Sequence, residues 1–226
     1  IIGSGPGGYV AAIRGAQLGL NVAIIEKEAL GGICLNWGCI PTKSFLRSAE
    51  VLKIIKSSEK YGIKSELGHV DIREVVKRSR SIAKKLSNGV QYLLKKNKVK
   101  IFYGEASFKS SKSIKITSKN NTTKEISSEN ICIASGGRPR EISGISNPNS
   151  VWFYKEALQV DKIPNKLLVV GSGAIGVEFA SFFAQMGSEV SLLESKSTIL
   201  PNEDLDVSNF VEKQFLNRGI KIYKNH

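Results

Sequence analysis

Cysteine and histidine are both scarce in this chain. Its 226 residues hold three cysteines, Cys34, Cys39 and Cys132, and two histidines, His69 and His226. Three cysteines are too few for a disulfide-stapled scaffold, and no zinc-type Cys/His spacing surrounds them, so no metal site is expected. His69 precedes a helical pattern and His226 is the last residue, so neither is placed for ligand or acid/base work. No apolar run reaches the roughly 20 residues that span a bilayer. No secretory leader reads in the chain, and Ile1 and Ile2 look like the tail of a strand whose first residues are missing. Acidic residues are the under-represented charge, 20 against 33 basic, for a formal +13. Such a balance can mark a nucleic-acid partner. Here the lysines of 53–60, 77–85 and 95–100 mostly alternate with apolar residues, as on the wet face of amphipathic helices. Neither nucleic acid nor membrane is expected as a partner. Hydrophobic content of 41% and charged content of 23% are ordinary for a globular protein.

What the chain does have is one motif twice. Residues 1–27 read I-I-G-S-G-P-G-G-Y-V-A-A-I-R-G-A-Q-L-G-L-N-V-A-I-I-E-K, and 169–195 read V-V-G-S-G-A-I-G-V-E-F-A-S-F-F-A-Q-M-G-S-E-V-S-L-L-E-S. An offset of 168 aligns Gly3, Gly5 and Gly8 with Gly171, Gly173 and Gly176, and Glu26 with Glu194, without a gap. In each copy an apolar strand ends at a Gly-rich turn and a helix begins. The first glycine makes the turn, the second admits a pyrophosphate, and the third lets helix and strand pack closely. The helix start presents free N–H groups to phosphate. A second strand then ends in an acid that can bond ribose hydroxyls. A lone G-x-G-x-x-G is weak evidence. Two complete copies predict two dinucleotides and two Rossmann-like α/β domains with mainly parallel sheets, both incomplete: 1–150, and the start of a second over 151–226. Glu194 favours an unphosphorylated ribose, hence NAD over NADP, although Lys196 lies two residues beyond it.

Residues 30–43 read L-G-G-I-C-L-N-W-G-C-I-P-T-K. The spacing of Cys34 and Cys39 is neither that of thioredoxin motifs nor of usual zinc sites. The flanking Gly, Asn and Pro suggest a special loop, with a helix beginning near 40–41, since Pro is tolerated in a first turn. A thiol at a helix start sits in a positive field that favours thiolate, and Lys43 adds a cation. Two close cysteines in a cysteine-poor chain suggest redox work. Cys132, within I-C-I-A, reads as strand packing, and Trp37 as loop packing. Helical patterns cover 41–60 and 71–97. In the second, Ile82, Leu86, Val90, Leu93 and Leu94 form one apolar stripe, expected to be core. Short β-type runs fill 99–133, a Gly/Pro/Ser-rich linker follows over 136–148, and G-I-K-I-Y is a last strand.

The 30–43 segment, the two fingerprints and the I-A-S-G-G-R-P segment resemble the pyridine nucleotide–disulfide oxidoreductases along essentially the whole chain. The form C-L-N-W-G-C-I-P is most similar to the branch that oxidises lipoyl dithiols. The resemblance implies FAD and NAD as cofactors, with Gly3, Ser4, Gly5, Pro6 and Gly8 at the FAD pyrophosphate, Glu26 at its ribose, and Lys27 among the cofactor-binding residues. Gly32, Gly104 and Ala106 would line FAD, and Ala134, Ser135 and Gly136 would cover it, Ser135 standing where the family commonly has Thr. Cys34 would be the interchange thiol, Cys39 the charge-transfer thiolate, and Lys43 would approach the flavin and pair with Glu178. Gly171, Gly173, Ala174, Ile175, Gly176 and Glu194 would bind NAD. The implied partners are lipoyl domains of 2-oxo acid dehydrogenase complexes and a second subunit, in a bacterial cytoplasm or a mitochondrial matrix. In the family a His–Glu acid/base pair comes from a later domain, outside this sequence. Two alternatives stay open: an NADPH-dependent reductase of the glutathione or mercuric type, and a cofactor-binding piece without turnover.

Overall fold

The computed structural model describes residues 1–66, 68–140, 142 and 150–226. It separates into two compact units, one of Ile1–Pro41 with Arg80–Tyr154, the other of Thr42–Ser79 with Lys155–His226. Thr42–Ser79, expected in the first domain, clusters with the second unit.

Along the chain, α1 (Pro6–Gln17) leads to β1 (Ala23–Glu26), a short α2 (Gly32–Trp37), α3 (Cys39–Lys56), a 3-10 turn (Ser58–Tyr61) and α4 (Ile72–Lys96). Then come β2 (Lys100–Tyr103), β3 (Glu105–Ser110), β4 (Ser113–Thr117), β5 (Thr123–Ser127) and α5 (Tyr154–Ala157). The last part runs β6 (Lys166–Val170), α6 (Ala174–Met186), β7 (Glu189–Glu194), α7 (Leu205–Leu216) and β8 (Lys221–Lys224). Among the described residues no helix is long and apolar enough to cross a membrane, and no group of metal-ligating side chains forms.

In the first unit β1 and β2 pair in parallel, Ala23 opposite Lys100 and Glu26 opposite Tyr103. Ile2 bridges in parallel to Ile25 on one side and to Ile133 on the other. The order is therefore Ile133, Ile2, β1, β2. Consecutive strands step outward in one direction and the chain then returns to the far side of Ile2. That reversal is the point where open α/β sheets leave a crevice for ligands. Alternation along β1 divides the core. Ile24 packs with Ala12 of α1, Leu35 of α2, and Val90 and Leu94 of α4. Its neighbour Ile25 packs with Ile114 and Ile116 of β4. The antiparallel sheet β3-β4-β5 thus covers one face of the parallel strands and helices cover the other.

The second unit carries the parallel sheet β6-β7-β8, with Val190, Leu192 and Glu194 of β7 buried in alternation. Phe182 of α6 lies with its ring 4.6 Å from Phe45 of α3 and 5.1 Å from Phe183, edge-on to the latter.

Three expectations are corrected here. Residues 32–37 form a helix rather than an irregular loop, and α3 begins at Cys39, slightly ahead of the expected start. In α4 Val90 and Leu94 are buried at 6% and 0% exposure, but Leu86 and Leu93 are exposed at 41% and 42%. Cys132 is exposed, its carbonyl accepting from Ile2 N–H at 2.9 Å, so it is strand backbone rather than core filler. The expected linker over 136–148 falls largely on 141 and 143–149, outside the described residues.

Candidate functional site: two glycine turns and a thiol pair

The two Gly-rich turns have the same construction. Gly3 and Gly171 both adopt φ +94°, a left-handed conformation that side chains resist. A Cβ on the third glycine would lie 1.9 Å from Gly3 O at Gly8 and 2.0 Å from Gly171 O at Gly176. The middle glycines differ in kind: a Cβ on Gly5 or Gly173 meets nothing within 4 Å. Their missing side chains are therefore not required by the protein's own packing, and they leave open the space a pyrophosphate needs. Gly5 and Gly173 are the N-caps of α1 and α6, and neither helix has a side-chain cap or an acid in its first turn. By contrast Asp204 caps α7, accepting from Asp206 N–H at 2.8 Å. Uncapped helix starts beside an open glycine suit a bound anion. Pro6, Ala174 and Ile175 are exposed at these two starts.

The acid at the second strand is latched to the turn in both units. Glu26 Oε2 accepts from Ser4 N–H at 3.0 Å and Ser4 Oγ–H at 2.5 Å, while Oε1 accepts from Glu28 N–H at 2.7 Å. Glu194 Oε2 accepts from Ser172 N–H at 2.9 Å and Oγ–H at 2.6 Å, and Oε1 from Lys196 N–H at 2.9 Å. Burial pushes the Glu194 carboxyl up, but the bonds from Ser172, Lys196 and Ser195 outweigh it and hold it at about 2, below its ordinary 4.5. Roughly four acceptor positions exist on a carboxylate, so each acid is held in place and Glu26 Oε1 keeps capacity for a ribose hydroxyl. From the sequence, Ser4 is expected at the FAD pyrophosphate and Ser172 has no assigned role, whereas both serines hold the strand-end acid. Their repetition beside a repeated Glu was the available signal for this latch.

The thiol segment is fastened to the first turn. A Cβ on Gly32, at φ +61°, would lie 2.6 Å from Gly5 Cα, and Gly31 N–H donates to Ser4 O at 3.0 Å. Helix α2 therefore starts against the middle glycine and carries Cys34 on its first turn. Asn36 Nδ2 donates back to the carbonyls of Leu30 at 2.9 Å and Gly32 at 3.0 Å, and Ser87 Oγ–H also donates to Leu30 O. After Gly38, Cys39 opens α3. Cys34 is half-buried and Cys39 is exposed. Lys27 is exposed beyond β1.

On the other side of Gly3, Ala134 N–H donates to Ile2 O at 2.8 Å, and a Cβ on Gly3 would lie 2.3 Å from Ala134 O. Ser135 and Gly136 follow, both exposed. Gly104 N–H donates to Glu26 O at 2.9 Å, and a Cβ there would lie 2.6 Å from Thr117 O, so this glycine answers to a close approach of β4. Ala106 pairs with Ile116. Gly3, Gly5, Glu26, Gly32, Cys34, Gly104 and Ala134 thus gather at one end of the first parallel sheet. In the second unit Lys43 Nζ donates to Glu178 Oε1 in an ion pair, beside the Gly171–Gly176 turn in sequence.

The family described as pyridine nucleotide-disulphide oxidoreductase matches residues 1–226. A dihydrolipoyl dehydrogenase of Zymomonas mobilis is 48% identical over 223 residues, covering 98% of this chain and 48% of that protein. One of Rhizobium etli is 47% identical over 241 residues, covering 99% of this chain and 50% of that protein. The chain spans about half the length of these relatives. Among solved structures, LpdA of Mycobacterium tuberculosis superposes with a TM-score of 0.90 at 26% identity, covering 99% of this chain and 50% of that one. The flavoprotein disulfide reductase RclA of Escherichia coli gives 0.82 at 30% identity, covering 99% and 48%. The duplicated glycine turns, the thiol pair on the first of them and the match along its whole length agree: the chain belongs to the pyridine nucleotide-disulphide oxidoreductase family.

Proposed function

We propose that this chain forms the electron-relay part of a dihydrolipoyl dehydrogenase, oxidising protein-bound dihydrolipoamide through a Cys34–Cys39 disulfide and FAD, with NAD as acceptor. The observation that carries the reading is the seating of α2: Gly32 abuts Gly5, so Cys34 is held next to the glycine that leaves room for a pyrophosphate. The names and 47–48% identities of the relatives support the lipoyl assignment.

The chemistry of the chain's own residues is thiol–disulfide exchange. A dihydrolipoyl thiolate attacks Cys34 Sγ in the disulfide, forming a mixed disulfide and releasing Cys39 as thiolate. The second substrate thiol, losing its proton, attacks the substrate sulfur of the mixed disulfide. Lipoamide leaves as a cyclic disulfide, and two electrons remain on Cys34 and Cys39. Cys39 opens α3, so the sulfur released from the disulfide lies at a helix start. FAD, when bound, supplies two-electron transfer between this pair and a nicotinamide nucleotide. Gly3, Gly5 and Gly8 would hold its pyrophosphate and Glu26 its ribose, with Gly104, Ala106 and Ala134 along it. Lys43, oriented by Glu178, would stand at the flavin. Gly171, Gly173, Gly176 and Glu194 would hold NAD. Glu194, ionised throughout the neutral range, disfavours a 2′-phosphate and so supports NAD over NADP. The physiological dithiols would be lipoyl domains of 2-oxo acid dehydrogenase complexes, met by a homodimer in the cytoplasm.

The likeness to RclA supports a second reading, a reductase that takes electrons from NADPH and delivers them to a disulfide. One experiment separates the two: anaerobic titration of the purified flavoprotein with dihydrolipoamide, followed by NAD. New long-wavelength absorbance that NAD discharges and NADP does not is the expected result. No response to dihydrolipoamide, with reduction by NADPH, overturns the lipoyl reading.

A further inference from the structure

Between the two cysteines lies a contact that the relay chemistry does not by itself call for. Arg80 of α4 sets its guanidinium carbon 4.1 Å from the centroid of the Trp37 ring, and its Nη2 donates to the Asn36 carbonyl. Asn36 and Trp37, two and three positions after Cys34, are the last residues of α2, and Gly38 alone separates Trp37 from Cys39. The final carbonyls of any helix lack intrahelical donors and carry the negative end of its dipole. A guanidinium there offsets both. It also pins an indole that leads directly into the second cysteine.

Ordinary packing does not account for an arginine at this place. Its Nη1 is buried with no hydrogen-bond partner among the described residues, and a buried donor without an acceptor is destabilising. Desolvation pushes the Arg80 guanidinium down from its usual value, and arginine remains cationic in proteins regardless. A methionine would stack on Trp37 without that cost. What the arginine adds is a fixed positive charge at the Cys34–Cys39 junction.

We propose that Arg80 is a positioning residue of the redox pair, clamping the α2–α3 junction through Trp37 and the Asn36 carbonyl so that the reduced pair is favoured over the disulfide. The inference rests on the reading of Cys34 and Cys39 as that pair. Holding positive charge beside the junction stabilises whichever sulfur is thiolate, and stabilising the reduced form makes a disulfide more oxidising. Lysine keeps the charge but loses the planar fork that stacks and donates at once.

The test is equilibration of the purified protein with oxidised and reduced dithiothreitol. Cys34 and Cys39 lose two electrons and two protons in forming their disulfide, and cyclic dithiothreitol takes them up. Mass analysis of the alkylated tryptic peptide 28–43, which holds both cysteines, reads the ratio. In Arg80→Met the equilibrium shifts about tenfold toward the disulfide, and Arg80→Lys returns to within about threefold of wild type. A lowered melting temperature with an unchanged equilibrium in Arg80→Met overturns the proposal and leaves a structural role. Should Arg80→Met fail to fold, Trp37→Leu takes its place: a shift of about threefold in the same direction supports the clamp, and none overturns it. A wild-type pair that forms no disulfide at any dithiothreitol ratio overturns the proposed function and this inference together. A wild-type pair that forms one, with variants that do not move it, overturns Arg80 alone.

Discussion

At the scale of single residues, the three glycines of each turn have separable reasons for being glycine. Gly8 and Gly176 sit against the carbonyl of the first glycine, where a methyl group would fall 1.9 and 2.0 Å from oxygen. Backbone has to move to admit it. Gly176→Ala is therefore expected to destabilise the protein by about 3 kcal/mol, at the upper end for overpacking, read by urea unfolding. Gly173→Ala meets nothing within 4 Å and should change stability by less than about 1 kcal/mol, yet weaken nucleotide binding at least about tenfold, because the added methyl occupies the space a pyrophosphate needs. Equal destabilisation by the two substitutions would count against that division of roles. The latch makes a pH prediction of its own. Glu194 falls to about 2 on folding from an ordinary 4.5. A depressed carboxyl contributes stability that is complete above about pH 4.5 and is lost as pH falls through 2, up to ~3 kcal/mol for a shift of this size. Ser172→Ala removes the 2.6 Å hydroxyl bond. It should cost about 1 kcal/mol at pH 7 and flatten the difference in unfolding free energy between pH 5 and pH 2. A parallel pH profile in the variant would show that Ser172 does not hold the carboxylate.

At the scale of elements, α4 shows what periodicity can and cannot tell. Its apolar residues recur at helical steps, and the helix is there, but two adjacent stripes share the pattern. The stripe through Ala83, Val90 and Leu94 is the one buried, joining Ala12, Ile24 and Leu35 in the core. Leu94→Ala should therefore cost about 2–5 kcal/mol, whereas Leu93→Lys, one position along, should fall within about 0.5 kcal/mol of wild type. Chemical denaturation of both variants checks this, and a large loss at Leu93 would place that stripe in the core instead. The glycine turns were legible because their constraints are local: a positive φ at Gly3 and Gly171, and a close approach at Gly8 and Gly176. Helix α2 was not legible. Six residues opening next to Gly31 give too short a window for periodicity, and bonds from Asn36 and Ser87 to the Leu30 carbonyl brace its start. Arg80 was illegible for a related reason. It lies 44 residues from the carbonyl it reaches, and in a chain with 33 basic residues nothing local distinguishes it from solvated surface.

At the scale of the whole molecule, the duplication turns one construction to two uses. Each turn has an open middle glycine, an uncapped helix and a latched acid, so each unit offers a dinucleotide cradle, but only the first has a thiol helix seated on it. Two cradles with one thiol pair put the thiols on the first cradle alone, an arrangement compatible with electron transfer in either direction between a dithiol and a nicotinamide nucleotide. They also make binding at the two cradles separable. A ligand that binds only the folded state raises stability by about 2.7 kcal/mol at a hundredfold excess over its Kd. In thermal melts, wild-type protein should gain such an increment from FAD and another from NAD. Gly173→Ala should lose the NAD increment and keep that of FAD, while Gly5→Ala should do the reverse. Loss of both increments in either variant would mean that the cradles do not bind independently, and the repeated sequence would then describe one composite site rather than two.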